Sequence, residues 1–253
     1  VRRVRSALDI SIRPSRSLTA AELDEIWAVT QRYVDTPRPF FERTLLALRE
    51  VGLWRVRGGE LVGLIGLDVY PVVWHGQTRI IIFGSSVVAD ERFRGRNLVL
   101  QTGLRLLVRE KLRRPLATAY CFFDSYSYKS YLLLARNFGE FWPRRDRVTP
   151  SDTAAFIDRL ASARYGSAWN RDTGVVRGSG YEQLRPTTAP IDGNLRSDAD
   201  VRFFEAANPG HREGDMLVCL APLTPRNLFR AITRAWRRST RKTAPELTSP
   251  GCR

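Results

Sequence analysis

One stretch of this 253-residue chain gathers groups that bind anions: Val87-Val-Ala-Asp-Glu-Arg-Phe-Arg-Gly-Arg-Asn-Leu98. Val87, Val88 and Ala89 close an apolar run, and Arg92, Arg94 and Arg96 bring positive charge. Gly95 lets the backbone approach a ligand closely, and Asn97 stands just before a long helical pattern. A helix start offers unpaired N–H groups and the positive end of the dipole, so a turn of this kind suits a pyrophosphate. The plainer reading is an arginine-rich solvated turn.

Other side chains that could carry chemistry are scattered. Asp68 shares a strand face with Leu64 and Tyr70, and Asp124 ends an apolar run. Either is a candidate general base, and each has a plainer role as a turn or surface carboxylate. Tyr126, Tyr128 and Tyr131 follow closely, as proton donors or as aromatic packing. Cys121 sits mid-strand and reads as a buried structural thiol. His211 lies in a tight loop with two carboxylates, which turn formation alone explains. Three cysteines (Cys121, Cys219, Cys252) and two histidines form neither a disulfide framework nor a zinc pattern, so no metal is expected.

The elements that must position these groups follow from periodicity. Thr19 and Glu22 form a capping box, with Leu18 and Leu23 as a staple, and a helix runs to about Tyr33. Pro37 and Pro39 break it, and a second helix spans 40–51. Runs 53–57, 61–70 and 80–89 are rich in Val, Ile, Leu and aromatics and predict three antiparallel strands joined by hairpins. A helix over 97–112, a strand over 116–123, a helix over 127–137 and a strand or turn over 139–142 follow. This order indicates a mixed α/β domain. Thr149 and Pro150 predict a helix to about Arg164, with Thr as cap. Residues 166–194 read as a long loop, 200–207 as a helix, 215–223 as a buried strand and 225–238 as a basic helix. The organisation expected is a basic segment (1–16), a core domain (17–147), a C-terminal extension packed on it (148–239) and a disordered tail (240–253).

The formal net charge is +15, carried almost entirely by arginine, since Lys111, Lys129 and Lys242 are the only lysines. Such a field attracts nucleotide phosphates, acidic carrier proteins, nucleic acid or anionic lipid. Nucleic acid fits least, because no recognition motif accompanies the charge. No run approaches the ~18 apolar residues of a membrane span, and no signal region is visible, which reads as a cytoplasmic protein.

Segment 87–98 resembles the acetyl-CoA-binding motif of the GNAT superfamily of N-acyltransferases: a strand ending in valine, an arginine- and glycine-rich turn, then the central helix. Read from Arg92, the two small positions of the motif fall on Gly95 and Asn97; read from Arg94, they fall on Asn97 and Val99. Ser127-Tyr-Lys-Ser-Tyr-Leu-Leu-Leu-Ala-Arg-Asn-Phe138 is similar to the family's next helix, with Leu134 where a tyrosine acid commonly stands. The resemblance covers about Ser17 to Trp142. It implies a central, mostly antiparallel sheet flanked by helices, and direct attack of an amine on an acyl thioester. Acetyl-CoA or acyl-CoA is the donor it implies first, and an acyl carrier protein bearing a longer chain second. It implies Val87 to Ala89 and Arg92 to Asn97 as the donor site, an oxyanion-binding N–H near Val88, and Tyr33 and Asp35 as acceptor contacts. The leaving thiolate would be protonated by Tyr128 or Tyr131 in place of the absent tyrosine. A non-catalytic GNAT-fold adaptor is the alternative.

The last helix adds a separate signal. Leu228, Phe229, Ile232, Ala235 and Trp236 share one side of a helical wheel, and Arg226, Arg230, Arg234, Arg237 and Arg238 cover the rest. That pattern suits an anionic membrane surface or an acidic carrier, or a packed helix with a solvated basic face.

Overall fold

Glu22 N–H donates to Thr19 Oγ1 at 3.3 Å while Thr19 N–H donates to Glu22 Oε2 at 2.9 Å, closing the expected capping box. The backbone donor at Thr19 holds the Glu22 carboxyl down at about 2. The computed structural model describes residues 7–93 and 95–241, without the side chains of Asn194, Trp236 and 238–241. Arg94, the first six residues and the tail from 242 therefore lie outside the described residues.

In chain order the strands are β1 (Leu8–Pro14), β2 (Val34–Asp35), β3 (Glu50–Val56), β4 (Leu61–Trp74) and β5 (Gln77–Ala89). Then come β6 (Thr118–Ser125), β7 (Trp169–Asn170), β8 (Val175–Val176), β9 (Gln183–Leu184) and β10 (Met216–Pro222). The helices are α1 (Ala20–Thr30), α2 (Arg38–Ala47), α3 (Leu98–Arg113), α4 (Tyr128–Asn137), α5 (Ser151–Tyr165), α6 (Gly193–Ser197), α7 (Ala199–Ala207) and α8 (Pro225–Arg241). Eight strands form one sheet in the order β1-β3-β4-β5-β6-β10-β8-β7, and β2 pairs with β9. Every neighbouring pair is antiparallel except β5 and β6, which run parallel with α3 crossing between them. The fold is the mixed α/β class expected from the element order.

The sheet is covered on both faces. On one, α3, α4, α7 and α8 meet Ile65, Leu67, Ile80, Ile82, Leu217 and Cys219. On the other, α1 and α2 cover Val51, Leu53, Leu64 and Val88. Beside them α5 covers Ile81, Phe83, Phe122, Val218 and Leu220. This second face holds the α1–α2 region where acceptor contacts are expected.

Several boundaries differ from the sequence expectation for identifiable reasons. Residues 8–14, read as part of a basic segment, are an edge strand paired with β3 from Leu8↔Val56 to Pro14↔Glu50. Pro71 does not end its strand. β4 continues to Trp74 because beyond Leu67 it has no β3 partner, and an edge position tolerates a missing N–H. His75 and Gly76 then make the two-residue hairpin turn, both with positive φ (48° and 72°), the twist such turns need. α2 starts two residues early, since a proline in the first turn forfeits no helical hydrogen bond. Pro150 rather than Thr149 is the N-cap of α5. The stretch read as a loop, 166–194, contains β7, β8, β9 and the start of α6, pairings too short to show a period.

The extension is bound into the sheet. β10 pairs with β6 from Leu217↔Ser125 to Pro222↔Tyr120. Buried Asn227 accepts from Gly139 N–H at 2.8 Å and Glu140 N–H at 3.0 Å, and donates to Glu140 O and Pro222 O, which pins the start of α8.

Candidate functional site

The parallel ladder between β5 and β6 runs from Arg79↔Thr118 to Gly84↔Phe123 and stops. Beyond it, Ser85–Ala89 stays paired with β4 while Ser125 and Asp124 pair with β10, so the sheet splits between β5 and β6. At the mouth of the split β5 carries a bulge: Ser86 and Val87 stand opposite the single residue Ile65. Ser86 takes a left-handed φ of 51°, a conformation a bulge imposes and which re-aims the neighbouring backbone groups. Val88 is buried toward α1 and α2, whereas Val87 is 42% exposed.

The arginine-rich turn follows directly. Phe93 is buried as the anchor of a short 3-10 turn, Gly95 has φ 85° and Asn97 caps α3 with φ 57°. The first α3 bond is Gln101 N–H to Asn97 O at 2.9 Å, so the amides of Leu98, Val99 and Leu100 have no partner within the helix. Arg92 departs from the expectation of a phosphate ligand. Its guanidinium grips Asp90 through both oxygens and also reaches Glu60 at 2.8 Å. That hydrogen bonding pushes the Arg92 guanidinium up and holds the Asp90 carboxyl down. Arg92 is thus a strut of the turn, and Arg94 lies outside the described residues.

On the α1, α2 and α5 face, at the split, stands a polar cluster. Asp124 accepts from Tyr165 O–H at 2.6 Å and from Ser85 O–H at 3.3 Å. Burial pushes the Asp124 carboxyl up, opposed by the Tyr165 hydrogen bond and the nearby Arg164 charge. Arg164 pairs with Asp68 at 3.0 Å and lies over the Phe83 ring at 3.4 Å. Asp68 also accepts from Arg49 N–H at 2.8 Å. The two carboxylates named from sequence are therefore on one face, Asp68 held by an arginine and a backbone amide and Asp124 by two hydroxyls. Beside them Tyr126 O–H donates to Glu182 at 2.9 Å, and burial raises both groups.

The remaining candidates separate. Tyr131 is fully buried against Phe141, Phe203 and Phe204, with its hydroxyl donating to Pro143 O at 3.2 Å. Burial forces its phenol up, and the hydroxyl expected as a proton donor is engaged by the backbone. Tyr128 is buried too, its hydroxyl 3.3 Å from Pro190 O. Cys121 is a core thiol pushed up to about 12 by burial. His211 Nδ1 bonds Asn208 O at 2.9 Å inside a turn.

Tyr33 and Asp35 lie where acceptor contacts were expected, and the extension crosses over them. β9 pairs with β2, Arg185 N–H and Thr188 O–H donate to Tyr33 O at 3.0 and 2.8 Å, and Arg185 meets Asp35 at 3.6 Å. At its other end this strap is held by Lys129, which donates to Thr188 O, and by Tyr128. It thus runs from the α1–α2 loop to α4, across the open end of the split. A cleft of about 420 Å³ remains beside it, lined by Arg32, Tyr33, Asp90, Glu91, Arg92 and Thr188, among others.

Sequence reasoning missed Arg164, Tyr165 and Glu182. Tyr165 follows buried Ala161 by four residues on α5, a spacing that extends the apolar stripe and could have placed it. Glu182 carries no such signal, since only the β2–β9 pairing brings it in.

No family model and no curated protein matches the chain. Solved structures do. A probable N-acyltransferase from Enterococcus faecalis is 14% identical over 64% of this chain, which spans 45% of that chain's length, with a TM-score of 0.36. A ribosomal-protein-alanine N-acetyltransferase from Brucella melitensis is 19% identical over 57% of this chain and 97% of its own, with a TM-score of 0.37. A GNAT family N-acetyltransferase from Escherichia coli in complex with CoA is 16% identical over 49% and 67%, with a TM-score of 0.33. Among the described residues no cluster of His, Cys, Asp and Glu is arranged to hold a metal, and no helix is long and apolar enough to cross a membrane.

Proposed function

We propose that this chain, a GNAT-type fold by its strand order and split sheet, is an N-acyltransferase that moves an acyl group from a thioester to an amine. One observation carries the reading: a split between β5 and β6 has an anion-binding helix start on one side and a half-buried carboxylate, Asp124, on the other. The first turn of α3, with Arg96 and Arg94, would take the donor pyrophosphate. The freed edge of Ser85–Ala89 would lie along the pantetheine arm. Acetyl-CoA or another acyl-CoA is the donor this site suits, with an acyl carrier protein as the variant favoured by the basic surface.

The acceptor amine would approach from the α1, α2 and α5 face, where Asp124 and Glu182 attract a cation. Asp124 removes one proton from the ammonium, directly or through water, and a raised carboxyl is the better base for this. The amine nitrogen attacks the thioester carbonyl, and an N–H at the bulge near Val88 holds the oxyanion. The C–S bond then breaks, and the departing thiolate takes the second amine proton. Tyr126, at the same end of β6, is better placed than Tyr131 to relay it.

A second reading, a non-catalytic module, draws on the strap across the split and on the commitment of Arg92 to Asp90 and Glu60. Calorimetry with CoA, followed by mass spectrometry of a panel of amines incubated with acetyl-CoA and acyl carrier protein, separates the two. Acylated amine with intact protein and none with Asp124→Asn supports the transferase. Absence of donor binding by the intact protein leaves the module.

A further inference from the structure

The helix layer on the other face of the sheet ends in an unusual surface. α3 turns Val108 (58% exposed) and Leu112 (81%) outward, and Leu116 in the following loop is 97% exposed. α8 does the same with Phe229 (72%) and Ile232 (46%). The expected apolar stripe of α8 is therefore divided. Asn227, Ala231 and Ala235 pack inward, and Phe229 and Ile232 look away. Trp236, part of that expected stripe, has its side chain outside the described residues.

Both helices lie on the same sheet face, and each is tied to the start of β6. Lys111 Nζ donates to Ala117 O at 2.7 Å, and Leu223 N–H donates to Ala119 O at 2.8 Å, just before α8 begins. The exposed apolar side chains thus project from one layer. The same segments are rich in arginine. Residues 111–117 and 224–237 contain no acid and include Lys111, Arg113, Arg114, Arg226, Arg230, Arg234 and Arg237. Glu110, on the same helix as Val108 and Leu112, is shared by Arg109, Arg113 and Arg114.

We infer that this layer docks on the surface of an anionic lipid bilayer. A single exposed Leu needs no explanation, but several on one layer in cation-rich segments do. A second copy of the chain is a poor occupant, because it brings the same positive charge to the contact. Side chains exposed this fully are protrusions and not the walls of a groove. A bilayer accepts protrusions without shape matching: apolar tips enter the boundary between headgroups and acyl chains while arginines bind phosphates. Each basic residue close to the surface adds to binding, and the attraction decays within a Debye length. The surface lies opposite the Asp124 cluster, so the inference stands apart from the transferase reading.

The test is co-sedimentation of the full chain with phosphatidylcholine vesicles, with and without phosphatidylserine, at physiological salt. Leu112→Ser/Leu116→Ser and Phe229→Ser/Ile232→Ser are run beside it, with melting curves to verify folding; these side chains are exposed, so the fold should be retained. Binding only to the phosphatidylserine vesicles, weakened about tenfold or more in each apolar variant, is the expected result. If an apolar variant melts early, resistance of the intact protein's binding to high salt serves instead, because insertion survives screening and adhesion does not. Two outcomes overturn the inference: no sedimentation of intact protein, or sedimentation unchanged in the apolar variants. Capture of an acidic acyl carrier protein without vesicle binding would assign the surface to a protein partner and also overturn it.

Discussion

Replacing Tyr165 by Phe removes one hydroxyl and leaves the ring in place, so it isolates the 2.6 Å hydrogen bond to Asp124. A hydrogen bond to a charged group contributes about 1.5–3 kcal/mol. Burial already raises the Asp124 carboxyl and this bond opposes that rise, so its loss should raise the carboxyl further. The linked stability follows in sign. A carboxyl whose folded pKa is raised destabilises the folded state above that pKa and not below its unfolded value. Tyr165→Phe should therefore cost about 1.5–3 kcal/mol at pH 7, and less as pH falls through the Asp124 titration. Urea denaturation at half-unit steps from about pH 4 to pH 8 measures this, and a carbon-detected NMR titration of labelled Asp reads the shift directly. A destabilisation that does not change with pH would show that Tyr165 acts by packing alone and that Asp124 is not its partner in solution.

Three further outcomes follow from geometry. Gly63→Ala would set a Cβ 2.5 Å from Val88 O and 2.6 Å from Trp54 Cε3, so it should cost about 1–3 kcal/mol in denaturant melts. Cys121, pushed up to about 12, should resist iodoacetamide at pH 8 in native protein and react once denaturant is added, as peptide mass mapping would record. Thr19→Ala opens the capping box of α1 and should lower stability by about 1 kcal/mol with acetyl-CoA binding by the folded protein unaltered, by thermal melting and calorimetry.

The parts of the fold that could be read from sequence were those with a local cause. Thr19 and Glu22 announce their cap, and the β-rich runs between Leu53 and Ala89 announce a meander because period and turn residues agree. The split itself was not readable. It depends on where the β5–β6 ladder stops and on Ser125 pairing with Leu217, more than ninety positions along the chain. The candidate site shows the same division. Asp124 was visible as a carboxylate at a strand end, but its partner Tyr165 comes from a different helix. Glu182 arrives beside a two-residue strand whose sequence, Gln-Leu, carries no pattern at all. The role of Arg92 was hidden because charge and motif position are local, whereas its capture by Glu60 is a tertiary event.

The β6–β10 pairing has a consequence for synthesis on the ribosome. β6 is complete at Ser125, yet the strand that covers its outer edge ends at Pro222. At about 5–20 residues per second, that edge is left unpaired for roughly five to twenty seconds while the intervening chain emerges. During that interval the N–H and C=O groups along Tyr120–Ser125 are an open template beside the aromatic side chains of Tyr120, Phe122 and Phe123. Slow codons or a ribosomal pause between α4 and β10 would lengthen the exposure without altering one residue of the product. The yield of active protein should then depend on translation speed, with aggregation of nascent chains as the competing fate.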